Sequence, residues 1–168
     1  MTAVMGKALL FLACFWLGFD RARRRKTRIA CLRAFRRAIA DLGRELTFSL
    51  SPVDELLADA EQGSGPVSEF FAACRRRFRE TGGECWAESW KCALSGAVLP
   101  VQETDRALLA RAGDVLGRWD GETQQNALSE FLSRLDEVIF EGAEEERRLF
   151  RVDLTLGVTA GLFLVLLL

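Results

Sequence analysis

The sequence has no histidine among its 168 residues. It therefore lacks the side chain whose ordinary pKa best suits it to act as a general base near neutral pH. No G-x-x-x-x-G-K-[ST] stretch is present to cradle phosphates, and the five cysteines, at 14, 31, 74, 85 and 92, include no C-x-x-C pair. A phosphate loop of that type and a zinc site of Cys/His spacing are thereby excluded. Strand-like alternation is also missing, and β-branched residues are sparse between Asp20 and Asp153, which leaves a sheet little to build on. The chain reads as helical, with no residue assigned to catalysis, to a metal or to a cofactor, and with no small-molecule substrate.

Charge is scarce at the two ends. Residues 2–19, TAVMGKALLFLACFWLGF, carry one charge in eighteen positions, and residues 154–168, LTLGVTAGLFLVLLL, carry none in fifteen. Both read as membrane anchors. At about 1.5 Å of rise per residue, fifteen helical residues cover roughly 22 Å, short of a hydrocarbon core of ~30 Å, so each span borrows a turn from its flank. Lys7 reaches the headgroups by snorkelling. No small-x-small cleavage site follows the first run, and the arginines behind it oppose export, which argues against a signal peptide. The expected domains are an anchor at 1–19, a cytosolic helical domain at 20–153 and an anchor at 154–168.

Behind the first apolar run comes DRARRRKTR, with Arg21, Arg23, Arg24, Arg25, Lys26 and Arg28 inside nine positions. Such a cluster orients a span with that flank in the cytosol and lies against lipid headgroups. No aromatic residue interleaves it, as stacking on single-stranded nucleic acid would require. Residues 20–50 hold ten basic and three acidic residues, a net +7, whereas 51–153 hold twelve basic and twenty-one acidic, a net −9. A basic stalk thus adjoins an acidic body.

Apolar spacing predicts about six helices. Ile29, Leu32, Phe35, Ile39, Leu42 and Leu46 step by 3, 3, 4, 3 and 4, one stripe of a helix that continues the first anchor to about Phe48. Ser51-Pro52-Val53-Asp54 reads as an N-cap serine with proline at the first helical position, opening a short helix to about Glu61. Pro66 opens a third, with Val67, Phe70, Phe71, Cys74 and Phe78 inside, ended by the Thr81-Gly82-Gly83 triplet. Trp86, Trp90, Ala93 and Leu94 mark the inner side of a fourth, from about Glu84, and Leu108, Leu109, Ala112, Val115 and Leu116 that of a fifth. The sixth, with Ala127, Leu128, Phe131, Leu132, Leu135, Val138 and Ile139 at the same period, runs on toward the last anchor. The cysteines are expected to be small core residues, and the two tryptophans to fill the core.

The stretch LGRWDGETQ at 116–124 puts an acid and amides between two of these helices. Without a base or a metal ligand, its parts read as punctuation: Gly117 as a left-handed helix terminator and Asp120 as the N-cap of the last helix. Trp119 and Glu122 at this turn, Arg75, Arg76 and Arg77 on the rim of the third helix, and Glu144, Glu145 and Glu146 ahead of the last anchor are the candidate partner contacts.

Taken together, WLGFDRAR after the first apolar run, GPVSEFF at 65–71, CWAESW at 85–90, LGRWDGETQ at 116–124 and the closing LGVTAGLFLVLLL resemble the stage III sporulation protein AB family of two-span membrane proteins. The L-G-x-x-D-x-x-x-Q element between two amphipathic helices is the more specific part. Phe48 and Ser51 depart from the tyrosine and Thr-Pro-Leu more usual there. The resemblance implies a helical cytosolic domain similar to that of the type II secretion inner-membrane platform protein. It implies a place on the mother-cell side of the channel joining mother cell and forespore, with the channel ATPase and other membrane proteins of that complex as partners. The expected role is a non-enzymatic platform bound to lipid but not to nucleic acid. The alternative is a membrane-tethered nucleic-acid-binding regulator acting through the arginine-rich stalk.

Overall fold

The computed structural model describes residues 2–48, 52–117 and 121–166, without the side chains of 2–19, 21–22, 47–48, 121–122, 150–151 and 153–166. Six helices and no strand occur among the described residues: α1 (Thr2–Phe48), α2 (Val53–Glu61), α3 (Pro66–Glu80), α4 (Trp86–Gly96), α5 (Glu103–Leu116) and α6 (Gly121–Leu166). The all-helical class read from the apolar periods is the observed one. The chain divides into two compact units, one of Met1–Ile29 with Phe140–Leu168 and one of Ala30–Ile139. Among the described residues no helix is long and apolar enough to cross a membrane.

Helix ends in the Ala30–Ile139 unit follow local chemistry. Pro52 is the N-cap of α2 and takes the Glu55 and Leu56 amides on its carbonyl at 2.9 and 3.3 Å. The expected serine cap falls on Ser51, outside the described residues. Asp54 and Glu55 place negative charge in the first turn of α2, where the exposed amides favour it. Pro66 opens α3 as its spacing predicts. At the far end Gly82 and Gly83 have φ of 68° and 84°, and the Gly83 amide reaches back to the Phe78 carbonyl at 2.9 Å. Only residues tolerant of positive φ close a helix in this way. α5 begins at Glu103, a turn and more before the first apolar position of its stripe. Asp105, buried to 2% exposure, accepts the Gln102 amide at 2.9 Å and thereby fixes that start.

The core of this unit is aromatic at its centre. Phe35 of α1, Phe70 and Phe71 of α3 and Trp90 of α4 are all fully buried. Their rings meet edge to face or tilted, with centroids from 4.8 Å (Phe70–Trp90) to 6.2 Å (Phe35–Phe71), geometries that match the positive ring edge to the negative face. Aliphatic side chains extend the packing: Leu32, Ile39 and Leu42 from α1, Leu56 and Leu57 from α2, Leu109 from α5, and Phe131 and Leu135 from α6. Gly43 interrupts the α1 stripe for a packing reason, because a Cβ there would stand 2.1 Å from Leu128 of α6.

Charged ties hold the outer faces. Arg36 grips Asp136 with two parallel bonds, Nε to Oδ1 at 3.0 Å and Nη2 to Oδ2 at 2.9 Å. Asp54 of α2 takes Arg75 at 3.1 and 3.3 Å and Arg79 at 2.6 Å through both nitrogens, while Arg75 also reaches Glu61 at 3.1 Å. Arg75 is thus committed within the protein to the α2–α3 contact instead of standing free on a rim.

In the other unit, Lys26 and Glu146 are 3.9 Å apart. A Cβ on Gly142 would lie 3.7 Å from Ile29 and 3.6 Å from Arg28. These contacts fix the antiparallel register of the two helical segments.

The hydrogen bonds from Arg79 and Arg75 hold the Asp54 carboxyl well below the usual carboxylate range. A depressed folded-state pKa contributes stability above the unfolded value, near about 3.9 for aspartate. That contribution is lost as pH falls through the folded value. The urea midpoint of Asp54→Asn should therefore lie below that of the parent at neutral pH. Titrating both proteins to strong acid should bring the two midpoints together.

Candidate functional site

The corner where α4, α5 and the start of α6 meet contains the polar stretch that is densest in candidate residues. Trp90 lies at its floor, its indole Nε1 donating to the Leu109 carbonyl at 2.9 Å. Gly113 and Gly117 of the α5 region form the seats of the two tryptophans. A Cβ on Gly113 would stand 2.7 Å from Trp90 Cγ and Cδ1, and one on Gly117 would stand 2.8 Å from Trp86 Cδ1. Gly117 has φ −82°, so it is not the left-handed terminator that its place in the sequence suggests. It is needed for close approach. Trp86 packs against Phe78 and Trp90, with ring centroids 5.8 and 5.9 Å away. Its Nε1 is buried with no hydrogen-bond partner among the described residues.

Among the described side chains of this stretch, Gln124 is the polar one placed within the core. It is 7% exposed and donates Nε2 to the Leu116 carbonyl at 3.1 Å. That carbonyl lies in the last turn of α5, where no helical amide remains to satisfy it. Gln124 thus caps one helix from the first turn of the next. Asp120 and Trp119 lie outside the described residues, as does the side chain of Glu122.

Two further α4–α5 ties reinforce the corner. Arg106 donates to the carbonyls of Leu94 and Ala97, the latter at 3.2 Å, and Lys91 meets Asp114 at 2.7 Å. Arg106, Gly113 and Asp105 carry no motif that sequence reading would single out. Their signal would have been the pairing of Gln102 with Asp105 and a small residue within an apolar stripe.

The arrangement holds no reactive pair. Among the described residues no group of three acids or cysteines could hold a metal ion. Burial pushes the Cys31 thiol up to about 11, with the Asp105 charge adding to it, and burial pushes Cys74 up to about 12. Thiols so raised are poor nucleophiles. Cys85 and Cys92 are exposed, not core residues as expected, because α4 turns its Trp86 and Trp90 side inward. Cys14 lies among the side chains outside the description.

A groove of about 510 Å³ lies between α1, α2 and the start of α3, with Ala34, Ala38 and Ala60 beside the exposed acids Asp41, Glu45 and Asp59. Ser68 in it is committed to the carbonyls of Glu61 and Gly63, at 2.6 and 3.1 Å. A second groove of about 310 Å³ between α1 and α6 places Ser129 and Ser133 beside the bonded Arg36–Asp136 pair. Neither sets a hydroxyl against a base.

The remaining candidates are surface charges. Arg76 and Arg77 are exposed, and Arg77 meets Glu80 at 3.4 Å. Glu144 and Glu145 are exposed, whereas Glu146 is half-buried against Lys26. In the basic run Arg23, Arg24 and Lys26 are exposed, Arg25 and Arg28 partly so, and Arg24 meets Asp20 at 2.8 Å. The Arg21 side chain lies outside the description.

This frame of helices, capped across the α5–α6 corner by the Gln of L-G-x-x-D-x-x-x-Q, meets a family model described as stage III sporulation protein AB, which matches residues 3–168. The chain belongs to the stage III sporulation protein AB family. It is similar to stage III sporulation protein AB of Bacillus subtilis (strain 168), 25% identical over 171 residues that cover 100% of this chain and 99% of that protein. A solved structure of a stage III sporulation protein AB shares the fold, with a TM-score of 0.67 at 22% identity over 73% of this chain and 98% of that one. The stage III sporulation protein AB family is a sporulation family and is not a known enzyme family.

The seat beneath Trp90 is open to direct test. Gly113→Ala gains helix propensity worth about 1 kcal/mol but drives a methyl into a fully buried ring, and overpacking costs about 1–3 kcal/mol or more. The variant should unfold at lower denaturant than the parent. Gly96→Ala, at a helical position with nothing within 4 Å of the new methyl, should be neutral or slightly more stable.

Proposed function

We propose that this chain is a non-enzymatic membrane platform subunit of the sporulation channel between mother cell and forespore. Its two apolar ends anchor it and its central helical domain faces the cytosol, where it docks the channel ATPase. The observation that carries this reading is the family match across residues 3–168, on a chain whose central helices offer a capped, tightly packed body. Supporting it, both ends are apolar and flanked by basic residues, as a pair of anchors with a cytosolic middle requires.

Docking on this reading uses surface charge that the fold itself leaves uncommitted. Arg76 on α3 and Glu144 and Glu145 on α6 are exposed, and residues of this kind set partner choice and encounter rate more than raw affinity. The ATPase and the other membrane proteins of the channel are the partners. The chain takes no nucleic acid and no small-molecule substrate.

The test is crosslinking in sporulating cells followed by purification of the chain from membranes. The ATPase and other channel components should be recovered with it, and charge reversal at Arg76 together with Glu144 and Glu145 should deplete the ATPase without lowering the amount of chain. Recovery of no channel component from a normally accumulating chain would refute the platform role.

A further inference from the structure

The register of the terminal unit assembles a second set of charges that neither helical segment displays alone. Lys26 stands against Glu146, and Ile29 against Gly142. Each step toward the N terminus of α1 is therefore matched by a step toward the C terminus of α6. Continued by less than one turn, this register brings Arg23, Arg24 and Arg25 of α1 to the height of Arg147 and Arg148 of α6. At 1.5 Å per residue, Arg25 and Arg148 are each about 9 Å along the axis from the nearest apolar run, the one ending at residue 19 and the other beginning at 154.

Between the apolar runs and this height the sequence is mostly basic, with Asp20 and Asp153 as its two acids. Of the belt, Arg24 is paired with Asp20, while Arg23, Arg25, Arg147 and Arg148 have no carboxylate within ion-pair distance among the described residues. The exposed acids Glu141, Glu144 and Glu145 lie farther from the apolar runs than Arg147 and Arg148 do. Five arginines within about one helical turn of each other in height, close to two stretches that together carry a single charge, match a plane of phosphates seen edge-on. A nucleic-acid strand would instead call for a basic row interleaved with aromatic rings, and none interleaves residues 21–28.

We infer that Arg23, Arg25, Arg147 and Arg148 form a two-helix belt that binds the phosphate headgroups of anionic phospholipids and selects them over zwitterionic ones. The inference rests on the two-anchor reading of the proposed function. It goes beyond that reading because the α6 arginines are made equal members of the site, and because the result is lipid selectivity and not only orientation. The planar guanidinium holds a phosphate through two parallel bonds, so lysine is an imperfect substitute at these positions.

The experiment places the full chain in vesicles of phosphatidylcholine mixed with phosphatidylglycerol and extracts it into nonionic detergent. Mass spectrometry then gives the ratio of the two lipids retained on the protein. The parent should retain phosphatidylglycerol several-fold above its bulk proportion, with the excess falling as salt is raised. Roughly fivefold per arginine is the scale for a basic side chain at an anionic surface. Arg23→Gln with Arg25→Gln should lower the excess, Arg147→Gln with Arg148→Gln should lower it comparably, and all four together should abolish it. The circular-dichroism helix signal and flotation with phosphatidylcholine vesicles should remain at parental levels.

If the Arg147→Gln, Arg148→Gln pair leaves the excess intact, the two-helix belt is wrong. If the chain floats with vesicles but shows no preference for phosphatidylglycerol, and instead binds an oligonucleotide with steep salt dependence, lipid recognition is wrong. Failure to float with either lipid would overturn the anchors themselves, and the belt with them.

Discussion

The Ala30–Ile139 unit depends on how one indole is seated. Trp90 is fully buried, edge to face with Phe70 and Phe71, in ring contact with Trp86, and bonded through its only polar atom to the Leu109 carbonyl. Burying a ring of that size contributes roughly 4–6 kcal/mol of gross transfer free energy. It does so here because Gly113 leaves the face of α5 flat enough for the ring to approach. A helix normally gives up about 1 kcal/mol to hold a glycine. In α5 the close packing it permits outweighs that loss. Phe35 then links the same aromatic cluster to α1 through Phe70 and Phe71.

Around that centre the charged residues divide into those the fold uses and those it leaves. Asp54 with Arg75 and Arg79, Arg36 with Asp136, Lys91 with Asp114, and Arg106 with two carbonyls all join one helix to another. Arg76, Glu144, Glu145, Arg23, Arg147 and Arg148 are instead exposed. The division between structural and exposed charge is what the proposed platform role and the proposed lipid belt rest on.

Much of this was legible in the sequence, and the reasons differ from residue to residue. The stripe from Leu32 to Leu42, the Phe70, Phe71, Cys74 set and the Trp86, Trp90 pair all point inward as their 3.6-residue spacing requires. Pro66 and Gly82-Gly83 punctuate where their backbone chemistry demands. Gly117 differs because a glycine after an amphipathic stripe suggests a left-handed turn, while its contact with Trp86, thirty-one residues earlier in the chain, is a tertiary fact. For Gln124, nothing local in the sequence shows that its side chain meets the end of α5. Cys92 differs from Cys31 and Cys74 only in the side of its helix, Cys85 stands just ahead of α4 as its N-cap residue, and cysteine is at home in each of these places. Arg75 belongs to a run that reads as solvated, yet one residue of it is turned toward acids on α2.

The claim that the aromatic centre holds the helices of this unit together is tested most directly by native-state hydrogen exchange on the parent and Trp90→Phe. The substitution removes the N–H bonded to Leu109 and part of the ring, a loss of about 1–3 kcal/mol. Amides of α3, α4, α5 and the 30–46 stretch of α1 should lose protection together and by the same free energy, as one cooperative unit. Loss confined to α4, with α1 and α3 exchanging as in the parent, would contradict the account.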